Sequence, residues 1–151
     1  MKLKSFLLFT VLGTLLTTAT FANTPLSAKA KFVLDLFAES HLNTDASKLE
    51  KILSTDALMK FSKGYQVLSQ GQSAVIRLMR QNQGITQNCS TVVDVLASGD
   101  AMVLAKVNFV YEGFVVENYL TLELDRTQNW KITRIDKFYI DAGSPKVLTQ
   151  K

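Results

Sequence analysis

The sequence is poor in the residues that build covalent and metal-based sites. Among its 151 residues there is one cysteine, Cys89, and one histidine, His41. A single cysteine forms no disulfide within the chain and cannot supply a cysteine-based zinc site. No histidine pair or acidic cluster has the spacing of metal ligands either. The residues therefore indicate no metal and no other cofactor.

Basic residues outnumber acidic residues only moderately. The chain has 17 Lys and Arg against 13 Asp and Glu, and 47% of its residues are hydrophobic against 20% charged. This composition excludes a disordered or collagen-like chain. No basic cluster with interleaved aromatic residues is present, so nucleic acid is not a predicted partner. The length suits one domain with a core of its own.

The N-terminus has the three parts of a secretory signal peptide. A basic stretch, 1–4, precedes an uncharged run over 5–20. Thr20 and Ala22 then offer small side chains at the two positions that a signal peptidase reads, ahead of Asn23. The alternative is an uncleaved anchor, which needs about 20 apolar residues to span a bilayer. The run is shorter than that and contains several threonines, so cleavage is favoured.

Cleavage sets the expected boundaries and compartment. We expect a signal peptide over 1–22, a single domain over 23–141 and a polar tail over 142–151. The mature chain would lie in the periplasm or outside the cell, with no membrane attachment after cleavage. It would also lose two basic residues, so part of the excess of basic over acidic residues lies in the export signal.

Helices are expected first and strands last, which predicts an α+β fold. Thr24-Pro25 is a helix start, and Ser69 with Gln72 is a capping-box pattern. Turn-type residues separate the last four strand-like runs, and such short links allow only antiparallel neighbours. The predicted elements are a helix over 25–41, a short helix after 43–45, a strand over 58–62 paired with 65–68, a helix from Ser69 to near Gly84, and strands over 87–97, 101–111, 114–124 and 130–140.

The turns also predict the register of the last three strands. A two-residue turn at Glu112-Gly113 places Val107 opposite Asn118. A loop over 125–129 places Leu124 opposite Trp130 and, further along, Asn118 opposite Asp136. One sheet face then becomes almost wholly apolar, as a buried face requires.

Three polar residues interrupt that predicted inner face: Asn118, Arg134 and Asp136. Polar groups among apolar ones cost several kcal/mol unless they are paired or hydrated. One interpretation is a network satisfied internally. The other is a ligand cavity in which Arg134 offers a forked donor to a carboxylate, a carbonyl or a pteridine-like edge. The candidate ligand-binding residues are Arg134, Asp136, Asn118, Phe61, Leu122 and Phe109.

The order of elements resembles the nuclear transport factor 2-like superfamily. The stretch from Leu42 to Gly64 (LNTDASKLEKILSTDALMKFSKG) looks like its second helix and first strand, and Asn-Trp-Lys-Ile at 129–132 is similar to the opening of its last strand. The similarity is to small exported bacterial members of the lumazine-binding type, over about residues 25–140. It implies a cystatin-like fold in which three helices pack on a strongly bent antiparallel sheet to form a cone-shaped pocket. It also implies a homodimer that forms through the sheet.

The catalytic residues of related ketosteroid isomerases do not carry over. In an ungapped register the general-base aspartate falls on Phe61 and the oxyanion-stabilising acid on Leu122, and no tyrosine lies in the first helix. Removing a proton next to a carbonyl needs such a base and such a donor. The isomerase positions therefore argue against that chemistry.

Two classes of function stay open from the sequence. The first is a non-catalytic module that binds a small apolar or carbonyl-bearing ligand. The second is an isomerase, cyclase or dehydratase that uses Asp136, Arg134 or His41. His41 lies near the end of a helix, where the dipole favours a cation, and we expect that structural role for it. Cys89 is expected to be a small core hydrophobe.

Overall fold

The computed structural model describes residues 25–141. The predicted signal peptide over 1–22, the helix-capping Thr24 and the polar tail over 142–151 lie outside the described residues. The elements are α1 Ala28–Leu42, α2 Ala46–Ile52, β1 Leu53–Lys63, β2 Gln66–Gly71, α3 Gln72–Gln81, β3 Ser90–Ser98, β4 Met102–Val110, β5 Phe114–Leu124 and β6 Trp130–Asp141. The predicted α+β class and the predicted order of elements are confirmed.

Side-chain caps determine where the first two helices begin. The Ser27 hydroxyl accepts from the Ala30 N–H at 3.1 Å, so α1 begins at Ala28 and not at Pro25 as predicted. The Asp45 carboxylate accepts from the N–H groups of Ser47 and Lys48, which satisfies donors that a helix start leaves unpaired.

The predicted capping box at the start of α3 is wrong. Ser69 lies in β2, where it pairs with Lys60 of β1, and the hairpin continues to Gly71. The helix therefore begins only at Gln72, after a residue that has no side chain to cap with.

The six strands form one curled, non-closed sheet in the order β2-β1-β6-β5-β4-β3. Strands β3 to β6 are consecutive antiparallel neighbours, which confirms the predicted meander. The expectation of a wholly antiparallel sheet is wrong at one place, because β1 runs parallel to β6. These two strands are far apart in the sequence, so no tight turn dictates their relative direction.

The register between β4 and β5 is as predicted. Val103 pairs with Leu122, and Val107 pairs with Asn118. The turn closes with a hydrogen bond of 2.9 Å from the Tyr111 N–H to the Phe114 carbonyl oxygen. A two-residue loop thus sets which side chains of β5 face the core.

The predicted register between β5 and β6 holds for only part of its length. Leu124 pairs with Trp130, but a bulge follows, so that Thr121 pairs with Arg134 and Asn118 pairs with Lys137. The predicted pairing of Asn118 with Asp136 is therefore wrong. Arg134 and Asp136 lie on the outer face of the sheet, opposite to Asn118.

The bulge has a packing reason. It inserts one unpaired residue, Thr133, between Ile132 and Ile135, and both isoleucines then lie fully buried on the inner face. Without it, strict alternation would bury the guanidinium of Arg134 and expose Ile135. The bulge thereby buries the aliphatic side chain of Ile135 and keeps the guanidinium of Arg134 in water, and both effects are favourable.

The core lies between the helices and the inner face of the sheet. Leu34 and Phe37 of α1 pack among buried residues of β4 and β5 such as Val107, Phe109 and Leu120. Cys89 packs against this core as a partly buried residue, as predicted.

Candidate functional site

A cavity of about 230 Å³ lies between the helices and the inner face of the sheet. One part of its wall is apolar and comes from α1, α2, β1 and α3. These residues are Phe37, Leu49, Met59, Val75, Leu78 and Met79. The remaining wall is polar and is formed by Ser40, His41, Thr44, Gln70, Asn82, Gln87 and Lys137.

A chain of hydrogen bonds orders part of the polar wall. The Thr44 hydroxyl donates to the Ile85 carbonyl oxygen at 2.6 Å, so it accepts from Gln87, whose Nε2 lies 3.3 Å away. The amide oxygen of Gln87 then accepts from the Tyr111 hydroxyl at 3.1 Å. Since Tyr111 has one proton, its oxygen accepts from His41 Nε2 at 2.9 Å. This order assigns His41 to the tautomer protonated on Nε2, with a lone pair on Nδ1.

The surroundings hold the histidine and the tyrosine neutral. Burial, and secondly the positive charge of Lys137, lower the pKa of His41 from 6.5 to about 4. Burial and contact with the Cys89 thiol raise the pKa of Tyr111 to about 12. The His41 ring also stacks on Phe109 with centroids 3.7 Å apart.

His41 lies in the last turn of α1, as expected, but burial opposes the positive charge that the helix dipole would favour. A helix dipole stabilises a terminal cation by about 0.3–1 kcal/mol. Lowering a pKa from 6.5 to about 4 corresponds to about 3 kcal/mol against the charged form. Burial therefore outweighs the dipole, and His41 is neutral near pH 7.

Lys137 is a cation without a counter-charge in the described chain. Burial lowers the pKa of its ammonium group. Within residues 25–141 its side chain has no hydrogen-bond or ion-pair partner, and no Asp or Glu of these residues lines the cavity. The site combines an unpaired amine, a neutral imidazole and an apolar wall.

Asn118 lies on the inner face, as predicted, but behind the cavity wall. Its side chain is 1% exposed, and its Nδ2 donates to the carbonyl oxygens of Val107 and Val116 at 3.1 and 3.3 Å. Its Oδ1 is buried without a hydrogen-bond partner among the described residues. Asn118 pairs with Lys137 across the β5–β6 ladder.

Arg134 and Asp136 form a two-pronged ion pair on the outer face. Arg134 Nε donates to one carboxylate oxygen of Asp136 at 2.6 Å, and Nη2 donates to the other at 3.0 Å. The Arg134 side chain is 51% exposed. The pair borders an open depression on the side of the sheet away from the cavity.

The other predicted candidates support the cavity from behind or beside it. Phe109 and Leu122 are fully buried in the core, and Phe61 is partly buried next to Lys137 in the β1–β6 ladder. None of the six candidate residues lines the cavity, and only Phe109 is in ring contact with a residue that does.

Sequence reasoning missed Lys137, because strict alternation beyond Ile132 turns its side chain outward. One signal could have found it: Ile132 and Ile135 are three residues apart, so a regular strand cannot bury both. A bulge between them turns Lys137 inward. For Thr44, Gln87 and Tyr111, which come from three separate segments, we find no comparable signal.

Two classes of feature are absent from the part of the chain that the structure describes. No group of three or more His, Cys, Asp or Glu residues there could hold a metal ion. No helix there is long and apolar enough to cross a bilayer.

The fold is similar to that of several solved bacterial proteins. An NTF2-like protein of unknown function from Silicibacter pomeroyi matches with a TM-score of 0.61 and 16% identity, covering 76% of this chain and 93% of that one. A cystatin-like fold protein from Burkholderia xenovorans matches with a TM-score of 0.60 and 12% identity, covering 75% and 90%. A ketosteroid isomerase-like protein from Erwinia carotovora atroseptica matches with a TM-score of 0.60 and 10% identity, covering 78% and 96%.

No protein-family profile and no curated protein sequence matches the chain. The structural similarities nevertheless show that it has the nuclear transport factor 2-like fold, also described as cystatin-like. This confirms the fold that the resemblance implied. At such low identity the likeness concerns the fold and not the function.

Proposed function

We propose that the protein binds a small molecule in the 230 Å³ cavity and is not an enzyme of the ketosteroid isomerase kind. The observation that carries this proposal is the division of the cavity wall into an apolar part and an ordered polar part. Ligand sites combine a mostly apolar lining with a few placed polar groups that orient the ligand.

The size of the cavity restricts the ligand. Pockets for drug-sized molecules have volumes of about 300–1,000 Å³, so a volume of about 230 Å³ favours a smaller molecule than a steroid. Such a ligand would place its apolar body against Met59, Val75 and Met79 and its polar group towards His41 and Lys137. A lumazine-type ligand is a finer proposal, and Arg134, the donor expected for it, lies outside the cavity.

A filling substitution tests the proposal. Val75→Phe adds volume inside the cavity, and Val92→Phe makes the same change on the exposed outer face of β3. The probe is indole, titrated into isotope-labelled full chain and followed by nuclear magnetic resonance. We expect indole to shift the amide signals around Met59 and Met79 in the wild type and in Val92→Phe, but not in Val75→Phe.

Two results would contradict cavity binding. One is that indole shifts no signals at all in a folded wild-type protein. The other is that its shifts map away from α3 and β1 and survive in Val75→Phe.

His41 supports the alternative of an isomerase. A neutral imidazole with a lone pair on Nδ1 is chemically competent as a general base. The positions expected for the general-base aspartate and the oxyanion-stabilising acid of an isomerase hold Phe61 and Leu122. Neither of these side chains can accept a proton or donate a hydrogen bond. Conversion of 3-cyclohexenone to its conjugated isomer, followed by absorbance and lost in His41→Gln, would favour this alternative over simple binding.

Export is a separate proposal and rests on the sequence pattern of 1–22. The chain recovered from the periplasm or the medium should begin at Asn23, which N-terminal sequencing determines. Recovery of only the full-length chain from the cytoplasm would refute export.

We also propose that two copies associate through the outer face of the sheet. Leu104, Val110 and Phe138 are exposed on that face. Sedimentation equilibrium should show a dimer that Phe138→Lys converts to a monomer. A monomeric wild type at high concentration would refute this proposal.

A further inference from the structure

We infer that the ligand of the cavity is a small organic carboxylate whose negative charge pairs with Lys137. This inference rests on the proposed function and specifies its ligand class. In the β-ladder Lys137 lies between Asn118 of β5 and Phe61 of β1, and it contributes to the cavity wall. It is the only Lys, Arg, Asp or Glu among the described residues that line this cavity.

The charge of Lys137 is not balanced by its neighbours. The other ionisable group in the cavity wall is His41, which is neutral near pH 7 and carries no negative charge. The Tyr111 hydroxyl, behind His41, is neutral as well. The Lys137 side chain is partly buried, and burial without a counter-charge disfavours the charged ammonium group and lowers its pKa. A bound anion would supply the missing charge.

Most other polar groups of the wall already hydrogen-bond to the protein, and Gln70 carries no charge. The Ser40 hydroxyl donates to the Phe37 carbonyl oxygen at 2.8 Å, and Asn82 Nδ2 donates to the Leu78 carbonyl oxygen at 2.9 Å. His41 Nε2–H is committed to Tyr111. Lys137 is therefore the one charged donor that remains available, and charge-assisted hydrogen bonds are about twice as strong as neutral ones.

Three probes of similar shape separate charge recognition from cavity filling. Benzoate, benzamide and benzylamine share an aromatic ring and differ in charge. On the full wild-type chain near pH 7, we expect calorimetric titration to show benzoate binding about tenfold more tightly than benzamide, with benzylamine weakest.

Lys137→Met removes the charge and keeps much of the side-chain volume. We expect it to lower benzoate affinity about tenfold, to the level of benzamide, and to leave benzamide affinity unchanged. Lys137→Gln provides a second variant that keeps a polar group. The matched control is Lys106→Met, which removes an outer-face lysine that lies 3.7 Å from Asp94 and should leave all three affinities unchanged.

The single histidine gives an independent signal. Burial is the larger cause of the low pKa of His41 and the charge of Lys137 is the second, so a carboxylate bound beside Lys137 should raise that pKa. Benzamide brings no charge and should not raise it. Nuclear magnetic resonance of the His41 ring protons measures both.

The outcomes distinguish this inference from the proposed function. Equal binding of benzoate and benzamide to the wild type would overturn the carboxylate inference and leave a binding cavity standing. A preference for benzoate that persists in Lys137→Met and Lys137→Gln would also overturn it. If none of the three probes nor indole binds, the proposed function itself fails.

Discussion

Acid should destabilise this protein through one residue before its carboxylates begin to matter. The pKa of His41 is about 4 in the folded chain, because of burial first and the charge of Lys137 second, against 6.5 for an unperturbed histidine. Between these values the unfolded chain binds a proton at His41 that the folded chain does not. Stability from this source is therefore fully present above pH 6.5 and is lost as the pH falls towards 4.

The magnitude follows from the same two pKa values. Their difference corresponds to about 3 kcal/mol when complete, and about 2 kcal/mol of it should be lost between about pH 7 and about pH 4.5. Urea unfolding followed by the fluorescence of Trp130, the only tryptophan, measures this loss. Trp130 is 7% exposed in the folded protein, so its emission should change on unfolding.

His41→Gln is the informative variant because a glutamine amide can still donate to the Tyr111 hydroxyl but does not titrate. Its unfolding free energy should be nearly constant over the same pH range. The reasoning is refuted if the variant loses as much stability as the wild type. It is also refuted if the His41 ring protons titrate near pH 6.5 in the folded protein.

Two substitutions and one deletion separate the parts of the structure. Tyr111→Phe leaves the His41 N–H and the Gln87 amide oxygen without their partner and should lower the unfolding free energy by about 1–3 kcal/mol, measured by urea unfolding. Arg134→Met breaks an exposed ion pair and should change neither stability nor benzoate binding appreciably, so a clear loss of binding in calorimetry would contradict the placement of Arg134 outside the site. Deletion of Thr133 should leave a folded protein that no longer binds indole, and unchanged binding in nuclear magnetic resonance would contradict this.

Much of the fold could be predicted because its signals are local. Short loops of two and five residues follow β4 and β5, and the β4–β5 register from Val103 to Phe109 follows from the turn alone. The parallel pairing of β1 with β6 could not be predicted in this way, because it depends on how the helices pack and no turn joins the two strands.

The candidate site was harder to predict because a shift of one residue in the strand register moves every following side chain to the opposite face of the sheet. Strict alternation beyond Ile132 turns Arg134 and Asp136 inward and Lys137 outward. The bulge reverses all three. The order of the strands could be predicted, yet the charged residue in the cavity could not, since the direction of its side chain depends on a single unpaired residue, Thr133.

The bulge at Thr133 connects the packing of the core with the shape of the cavity. Beside it, the β1–β6 ladder is also irregular, between the pairs Leu53 with Ile132 and Leu58 with Arg134. Two irregularities beside the same residues of β6 bend the sheet locally, because each bulge increases the twist of its strand. If Thr133 were removed, Ile132, Arg134 and Ile135 would follow one another directly in a regular strand. Both isoleucines would then still point into the core and Arg134 would still point outward, so the chain should still fold. The sheet would be flatter, however, and a flatter sheet brings β6 closer to the helices that cover the cavity. We therefore expect removal of Thr133 to change the cavity more than the hydrophobic core.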